Sequence, residues 1–260
     1  MTTLLRSLAI RVGCTVGSLA LVVAATPLHV AGEDVIDVRT NITYYSGEAA
    51  DKYRHRLDLY LPKRRRDVPV LIFVHGGGFT VGIKDQYAFM GQVFAARGIA
   101  TAVISYRLSP KTTYPGHVQD VARAFAWAHA HIAEYGGRPD KIFVAGHSAG
   151  ATLAALLGTD PVYLKEAGES LDHVAGVIPI SGRFTPSGRS GMFQGAVPID
   201  PDVVRNAAAI AHVAGPHPPF LIRYVDRDGR RPATMQRRWR GRSMPPARRP
   251  KCMRSRITRA

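Results

Sequence analysis

The spacing of hydrophobic residues along the chain predicts an alternation of strands and helices. Two early segments, 35–38 and 57–61, alternate apolar and polar positions, as half-buried antiparallel strands do. Five later segments are continuously apolar and bounded by turn residues, a pattern typical of strands buried on both faces of a parallel sheet. These segments are residues 70–74, 99–104, 142–145, 174–180 and 220–225.

Helical spacing separates these strands. Residues 118–132 carry an apolar residue at every third or fourth position, and residues 149–159 form a second apolar segment that ends before Pro161. Strands that alternate with helices are typical of βαβ units. We therefore predict an α/β fold, with a mostly parallel sheet covered by helices on both faces.

Residues 26–229 have a length that suits one α/β domain. Within them, residues 185–219 are richer in glycine and proline, and we interpret this segment as a loop-and-helix insertion over the active-site end of the sheet. The two cysteines, Cys14 and Cys252, lie outside this domain. Disulfides and cysteine metal sites are therefore excluded within it.

The N-terminal segment has the features of an export signal. Arg6 and Arg11 precede an apolar stretch over residues 12–25, which ends in the small residues Val23-Ala24-Ala25. We predict a signal peptide over residues 1–25 and a secreted or periplasmic protein. The alternative is an uncleaved anchor, but the apolar stretch is shorter than the roughly 20 residues that span a bilayer, so no stable membrane span is expected.

The C-terminal segment, residues 230–260, differs from the rest in composition. It holds 12 of the 35 Lys and Arg residues and no Asp or Glu, so it contributes most of the net charge of +16. We predict a disordered Arg/Pro-rich tail, and we hypothesise that the reading frame changes near Arg230. Clustered cations also suit nucleic acid, but Trp239 is the one aromatic residue of the tail, so we expect no nucleic-acid partner.

The strongest chemical signal is a Gly-x-Ser-x-Gly sequence at residues 146–150. It follows the predicted strand 142–145 directly and precedes the predicted helix from residue 149. In that context the motif forms a sharp turn that presents the serine oxygen above the sheet, and the glycines permit the turn. We therefore predict that Ser148 is a catalytic nucleophile, whereas the same motif without its flanking elements is a simple turn.

A second motif, His-Gly-Gly-Gly at residues 75–78, follows the predicted strand 70–74. Acyl transfer builds negative charge on a carbonyl oxygen, and each N–H group aimed at that oxygen stabilises it by about 3–4 kcal/mol. We predict an oxyanion hole formed by the N–H groups of Gly77, Gly78 and Ala149. The alternatives are a plain glycine-rich turn and a phosphate loop, and the phosphate loop requires a Lys-Ser/Thr pair that is absent here.

Together the two motifs resemble those of the esterase and lipase branch of the α/β-hydrolase superfamily. That branch includes hormone-sensitive-lipase-like and feruloyl-esterase-like carboxylesterases and the arylformamidases. Residues 56–62, 106–110 and 139–142 support the resemblance, which extends over about residues 35–228. It implies a serine hydrolase without metal or cofactor, with a triad in the order Ser, Asp, His, which acts on small-molecule esters or amides through an acyl-enzyme.

The resemblance places the catalytic acid just after the predicted strand 220–225. Asp228 matches the Gly-x-x-Asp spacing of the family, and Asp226 is the alternative. The general base belongs after a further strand and helix, but no histidine follows His217. We therefore expect the last strand and helix of the fold to be missing from this sequence. Losing one triad member lowers turnover by roughly 10⁴ to 10⁶.

Another histidine is a conceivable replacement base. His212 and His217 lie in the predicted insertion and remain candidates, because the sequence does not give the distance from either imidazole to Ser148. His147 is expected to point away from Ser148, and the resemblance gives His75 a structural role. The histidines that belong to the helix of residues 118–132 or to its entry are interpreted as surface residues; these are His117, His129 and His131.

The sequence thus predicts a carboxylesterase-like serine hydrolase that cleaves small carboxylic esters and is impaired by the missing triad histidine. Two alternatives stay open at this point. One is a non-catalytic protein that retains an acyl-binding pocket, and the other is an arylformamidase-type amide hydrolase.

Overall fold

The computed structural model of the chain describes residues 35–196 and 198–224. The predicted signal peptide, the Arg/Pro-rich tail and the two candidate acids, Asp226 and Asp228, lie outside the described residues. The described strands are β1 Ile36–Thr43, β2 Arg56–Pro62, β3 Val68–Val74, β4 Ala100–Ile104, β5 Gly137–His147 and β6 Val174–Ile180. The described α-helices are α1 Ala88–Ala95, α2 Gly116–His131, α3 Ala149–Leu157, α4 Pro161–Glu166 and α5 Pro201–Asn206.

The six strands form one mixed sheet in the order β1-β2-β4-β3-β5-β6. Strand β2 pairs antiparallel with both β1 and β4, whereas β4, β3, β5 and β6 are parallel to one another. The four parallel strands correspond to four of the continuously apolar segments of the sequence. The predicted α/β fold with a mostly parallel sheet is therefore confirmed.

Helices cover both faces of this sheet. Alternate residues of the central strand point in opposite directions, so that Ile72 packs toward α2 and α3 whereas Phe73 packs toward α1. Gly91 lets α1 approach closely, because a Cβ atom at this position would lie 2.1 Å from the ring of Tyr60. The apolar pattern of the sequence did not predict α1, since Phe89 is among the apolar residues of this helix that face solvent.

The prediction that β2 is half-buried is wrong, because this strand is buried along nearly its whole length. Its polar residue Asp58 is 3% exposed and forms an ion pair with Lys84, whose Nζ lies 2.9 Å from Asp58 Oδ2. The backbone N–H of Asn41 donates a second hydrogen bond to this carboxylate. Alternation of apolar and polar residues does not distinguish an internal ion pair from a solvent-facing position, and this explains the error.

A seventh segment runs parallel to the outer edge of β6. Residues 219–223 exchange four backbone hydrogen bonds with β6 and with Ser181, at 2.8–3.0 Å. The predicted strand 220–225 therefore lies against β6 over its described part, as two isolated bridges rather than a continuous strand. Among residues 35–196 and 198–224, no helix combines the length and apolar composition needed to cross a bilayer.

Candidate active site

Ser148 occupies the turn between β5 and α3, as the strand-turn-helix context predicts. Its backbone has φ +52° and ψ −113°, a conformation that residues with a Cβ atom rarely adopt. The neighbouring glycines are required by close contact: a Cβ atom on Gly146 would lie 2.3 Å from the carbonyl oxygen of Gly150. A Cβ atom on Gly150 would lie 2.2 Å from the oxygen of Val74. The chain therefore turns sharply at Ser148, with β5 and α3 packed tightly behind it.

Backbone hydrogen bonds hold this turn in place. The N–H of Ser148 donates to the carbonyl oxygen of Ile180 at 2.9 Å, which ties the turn to the carboxyl end of β6. The carbonyl oxygen of Ser148 accepts from the N–H of Thr152 at 3.2 Å. Thr152 Oγ1 in turn accepts from the N–H of Arg183 at 3.1 Å, which connects the first turns of α3 to the loop after β6. The position of Ser148 is thus set by three separate segments of the chain.

The glycine loop at residues 76–78 lies at the carboxyl end of β3, next to β5. Gly77 has φ +122° and Gly78 has φ +62°, and a Cβ atom on Gly77 would lie 2.0 Å from the carbonyl oxygen of Val81. Only glycine fits this backbone path. Within the described part of the chain, the N–H groups of Gly77, Gly78 and Ala149 donate to no acceptor. None of the three predicted oxyanion donors is therefore occupied by a described acceptor of the protein itself.

Ser148 opens onto a cavity of about 340 Å³. Gly78 and Ala149 also line it, so the structure brings the predicted nucleophile together with two of the three predicted oxyanion donors. Gly77 precedes Gly78 in the same loop but does not line the cavity wall. The volume suits a small ligand. The remaining lining residues are Phe79, Thr152, Ser181, Arg183, Pro186, Ser187, Arg189, Ser190 and Gly191.

The polar groups of the outer wall were not found by sequence reasoning. Arg183 and Arg189 line the cavity, and none of its described lining residues is acidic. Ser181 has φ +54°, and its Oγ is buried without a hydrogen-bond partner among the described residues. Its position just after β6 is a signal that was available, since ligands of α/β sheets bind beyond the carboxyl ends of the strands. The two arginines lie in irregular loops, where no sequence period indicates which side chains face the site.

His75 has the structural role that the resemblance implies. The imidazole is fully buried, stacks on the ring of Tyr106 at 4.3 Å between centroids, and approaches the carbonyl oxygen of Gly76 at 2.6 Å through Nδ1. Burial lowers the pKa of His75 to about 4. The ring is therefore neutral at neutral pH and supports the glycine loop from below.

His117 is the exception to the prediction that the helix histidines are exposed. It is 0% exposed, and its Nε2 lies 3.2 Å from Ser109 Oγ. Burial lowers the pKa of His117 to about 4. Its ring also contacts the edge of Phe79, which lines the cavity. The prediction was wrong because His117 lies in the first turn of α2, which packs beneath the glycine loop instead of facing solvent.

A buried carboxylate anchors the segment that supports this loop. Asp120 is 0% exposed and forms ion pairs with Arg107, at 2.8 Å, and with Arg123, at 3.0 Å. His55 Nε2 lies 2.9 Å from the same carboxylate. Burial alone would raise the pKa of Asp120, but hydrogen bonds from His55 and Arg107 outweigh it and lower the pKa. The network holds Arg107 and the residues that follow it against the glycine loop.

The structure places no histidine beside the serine hydroxyl in the part of the chain that it describes. The ring of His147 turns away from Ser148, and its Nδ1 lies 2.8 Å from the hydroxyl of Tyr87. His212 and His217, the candidate replacement bases, line a different cavity beside the start of β6. Ser148 Oγ has no hydrogen-bond partner within residues 35–196 and 198–224. The described part of the site therefore contains the predicted nucleophile and two of the predicted oxyanion donors, but no histidine placed as a general base.

Comparisons with known proteins agree with this geometry. Residues 57–175 match the BD-FAE family model. Esterase LipC of Mycobacterium tuberculosis is 36% identical over 189 residues, which cover 64% of this chain and 47% of the relative. The probable isoprenylcysteine alpha-carbonyl methylesterase ICMEL1 of Arabidopsis thaliana is 41% identical over 133 residues, 51% of this chain and 27% of the relative. The chain thus spans less than half of the length of these two curated relatives.

A solved structure shows the same fold. Esterase B from Lactobacillus rhamnosis superposes with a TM-score of 0.61 at 24% identity, over 72% of this chain and 65% of that chain. The described sheet and helices are therefore arranged as in a known esterase. The two sequence relatives are named as an esterase and a probable methylesterase. By sequence similarity this chain is related to esterases over part of its length, and its α/β fold is the one seen in esterase B.

Proposed function

We propose that this chain is a carboxylesterase-like serine hydrolase that cleaves small carboxylic esters through an acyl-enzyme. Ser148 is the attacking group, and the N–H groups of Gly78 and Ala149, with Gly77 behind them, bind the developing oxyanion. The observation that carries the proposal is the shared cavity in which Ser148 faces unpaired N–H groups of a glycine loop and a helix start. The esterase relatives support the same reaction class.

The chemistry follows from this arrangement. Ser148 Oγ adds to the ester carbonyl carbon, the carbonyl oxygen takes up negative charge, and collapse of the adduct expels the alcohol and leaves an acyl group on the serine. Water then releases the carboxylic acid. Both steps require a general base. In the first step it takes the proton of the Ser148 hydroxyl and gives it to the departing alcohol, and in the second it takes a proton from water and gives it to Ser148 Oγ. The predicted acid is Asp228, with Asp226 as the alternative, and each is proposed to orient an imidazole.

The proposed activity is slow in this 260-residue chain. Residues 218–260 contain no histidine, and no described histidine forms a hydrogen bond with the hydroxyl of Ser148. Without an imidazole base the serine hydroxyl remains protonated, and turnover falls by roughly 10⁴ to 10⁶ relative to a complete triad. The two arginines of the cavity wall also favour esters that carry an anionic group over neutral ones.

A fluorophosphonate probe tests the nucleophile directly, since it forms a covalent bond with an activated serine in this kind of site. We expect slow labelling of the wild-type chain, at one probe per chain, and no labelling of Ser148→Ala. Ser187→Ala is the matched control, because it removes another serine of the same cavity and should leave labelling unchanged. Fast turnover of p-nitrophenyl acetate that is abolished in Ser148→Ala would contradict the proposed impairment.

A non-catalytic acyl-binding protein is the second candidate. It is favoured by one observation, the absence of a partner for Ser148 Oγ among the described residues. This candidate predicts saturable binding of a non-hydrolysable ester analogue, such as a methyl ketone, without any probe labelling even after long incubation. Labelling at Ser148 would exclude it. An arylformamidase-type amide hydrolase is distinguished by preferential hydrolysis of an aryl formamide over the corresponding ester.

We further propose that the chain is exported, as a secreted or periplasmic protein. The proposal rests on the charge and apolar pattern of residues 1–25. Expression in a bacterial host followed by mass measurement of the periplasmic protein should give a chain that begins at Thr26. A product that retains residues 1–25 in the cytoplasmic fraction would contradict it.

A further inference from the structure

Three side chains that commonly bind metal ions meet far from the proposed active site. His129 lies near the end of α2, and Glu169 and His173 lie in the connection between α4 and β6. Nδ1 of His129 is 2.9 Å from Glu169 Oε2, and Nδ1 of His173 is 2.5 Å from the same oxygen. One potential ligand atom from each residue lies within 4.8 Å of the other two.

This cluster is separate from the Ser148 cavity. His173 immediately precedes β6, whereas the far end of β6 is Ile180, whose carbonyl oxygen accepts the N–H of Ser148. A seven-residue strand spans about 20 Å at roughly 3.3 Å per residue. The cluster and the serine therefore lie at opposite ends of β6, and the proposed hydrolysis uses none of the three side chains.

We propose that His129, Glu169 and His173 bind a divalent transition-metal ion, with Zn²⁺ as the representative case. Two imidazole nitrogens and one carboxylate form a donor set that suits zinc and its neighbours, and leave a fourth position for water. Mg²⁺ and Ca²⁺ are disfavoured, because they select oxygen ligands. A bound metal ion would replace the hydrogen bonds between the two Nδ1 atoms and the carboxylate.

The convergence of both rings on one carboxylate is the feature that separates this cluster from an ordinary surface ion pair. Nδ1 of His129 lies 3.0 Å from Oε1 and 2.9 Å from Oε2 of Glu169, and Nδ1 of His173 lies 2.5 Å from Oε2. The two imidazoles stack at 4.5 Å between centroids, and within the described residues neither has another carboxylate partner. A metal ion would bind both nitrogens and the carboxylate at a single centre. The Glu169 side chain is 10% exposed, so its carboxylate is held in place, and that of His173 is 41% exposed, so solvent ions have access.

Metal binding would join segments that are distant in sequence. His129 and Glu169 are 40 residues apart, so the ion connects the end of α2 to the segment that leads into β6. An ion that binds the folded chain and not the unfolded chain raises the melting temperature by mass action. We therefore assign the site a structural role, as a clamp between α2 and the start of β6.

The test is Zn²⁺ binding to the full-length chain, purified without a polyhistidine tag and stripped of metal with a chelator. We expect one Zn²⁺ per chain by calorimetry, and a rise in Tm of about 5 °C or more at a hundredfold excess over Kd. His173→Ala should weaken binding by at least about tenfold. His131→Ala is the matched control: His131 is also on α2 but pairs with Glu134, so it should bind as the wild type does.

A spectroscopic measurement keeps the test decisive if a variant unfolds. Co²⁺ added to the wild-type chain should give visible absorption bands of a low-symmetry site, and Zn²⁺ should remove them, whereas Mg²⁺ should not. The proposal is overturned if the wild-type chain binds no Zn²⁺ at saturation, or if folded His173→Ala binds it with unchanged affinity. Because none of these readouts depends on hydrolysis, Ser148→Ala should bind Zn²⁺ as the wild type does, and failure of the proposed esterase function leaves this test unaffected.

Discussion

Replacement of Ser148 by glycine tests whether the turn at the nucleophile stores backbone strain. Ser148 has φ +52° and ψ −113°, a region in which a Cβ atom clashes with the neighbouring backbone. Holding a non-glycine residue in such a region costs on the order of 1–3 kcal/mol. Glycine removes that cost, but it also increases the conformational entropy of the unfolded chain, which destabilises the folded state by roughly 0.5–1 kcal/mol. We therefore expect Ser148→Gly to be about 1 kcal/mol more stable than the wild type.

Ser148→Ala is the matched control for this measurement. It removes the same hydroxyl but retains the Cβ atom, and because Oγ has no partner among the described residues, we expect its stability to stay within about 0.5 kcal/mol of the wild type. Urea unfolding at equal protein concentration gives the free energies, and a change of 1 kcal/mol corresponds to a shift in Tm of about 2–4 °C for a domain of this size. If Ser148→Gly is no more stable than Ser148→Ala, the turn is not strained and the reasoning fails.

Two further predictions concern the packing and the protonation of the site. Gly150→Ala should destabilise the fold by about 1–3 kcal/mol in urea unfolding, because its Cβ atom would lie 2.2 Å from the carbonyl oxygen of Val74. The control is Gly215→Ala, which should be neutral because a Cβ atom at that position meets no atom within 4 Å. Equal unfolding midpoints for the two variants would refute the assigned contact. Stability should fall as the pH drops from about 6.5 to about 4. In this range His75 and His117 take up protons in the unfolded chain, whereas in the folded chain burial keeps the pKa of both at about 4 and they stay neutral. Each histidine contributes about 3 kcal/mol to this loss. His117→Gln should therefore lose less stability than the wild type between about pH 6.5 and about pH 4. An identical loss would refute the lowered pKa of His117.

The sequence predicted the central sheet and the turn at Ser148 because both depend on local patterns. Continuous apolar segments mark β3 to β6, and the glycines of residues 146–150 mark a turn that only small residues permit. Similarity to known esterases confirms the family resemblance that these motifs indicated. The catalytic roles of Ser148 and of the oxyanion donors stay predictions that the probe experiment tests.

Other features were beyond the reach of sequence patterns. Asp58 is buried against Lys84, which lies 26 residues further along the chain, and His117 is buried against Ser109 in the loop that precedes α2. Such side-chain pairing leaves no periodic signal in the sequence. The outer wall of the cavity consists of irregular loops, in which Arg183 faces the site for reasons of tertiary packing alone. Asp228 lies outside the described residues, so its role is still a prediction.

The two sides of the cavity come from different parts of the fold, and this has a consequence for engineering. Ser148, Gly78 and Ala149 belong to turns fixed by the sheet, whereas Pro186 and Arg189 come from the loop that follows β6. Exchange of that loop for one from a related enzyme should change which molecules enter while the scaffold beneath keeps its melting behaviour. Selectivity and foldability are thus separable at the exposed residues 187–189, where randomised libraries should yield new preferences with few unfolded members. Phe184 and Gly191 should be kept, because Phe184 is buried in the core and a Cβ atom on Gly191 would lie 2.1 Å from the carbonyl oxygen of Gly78.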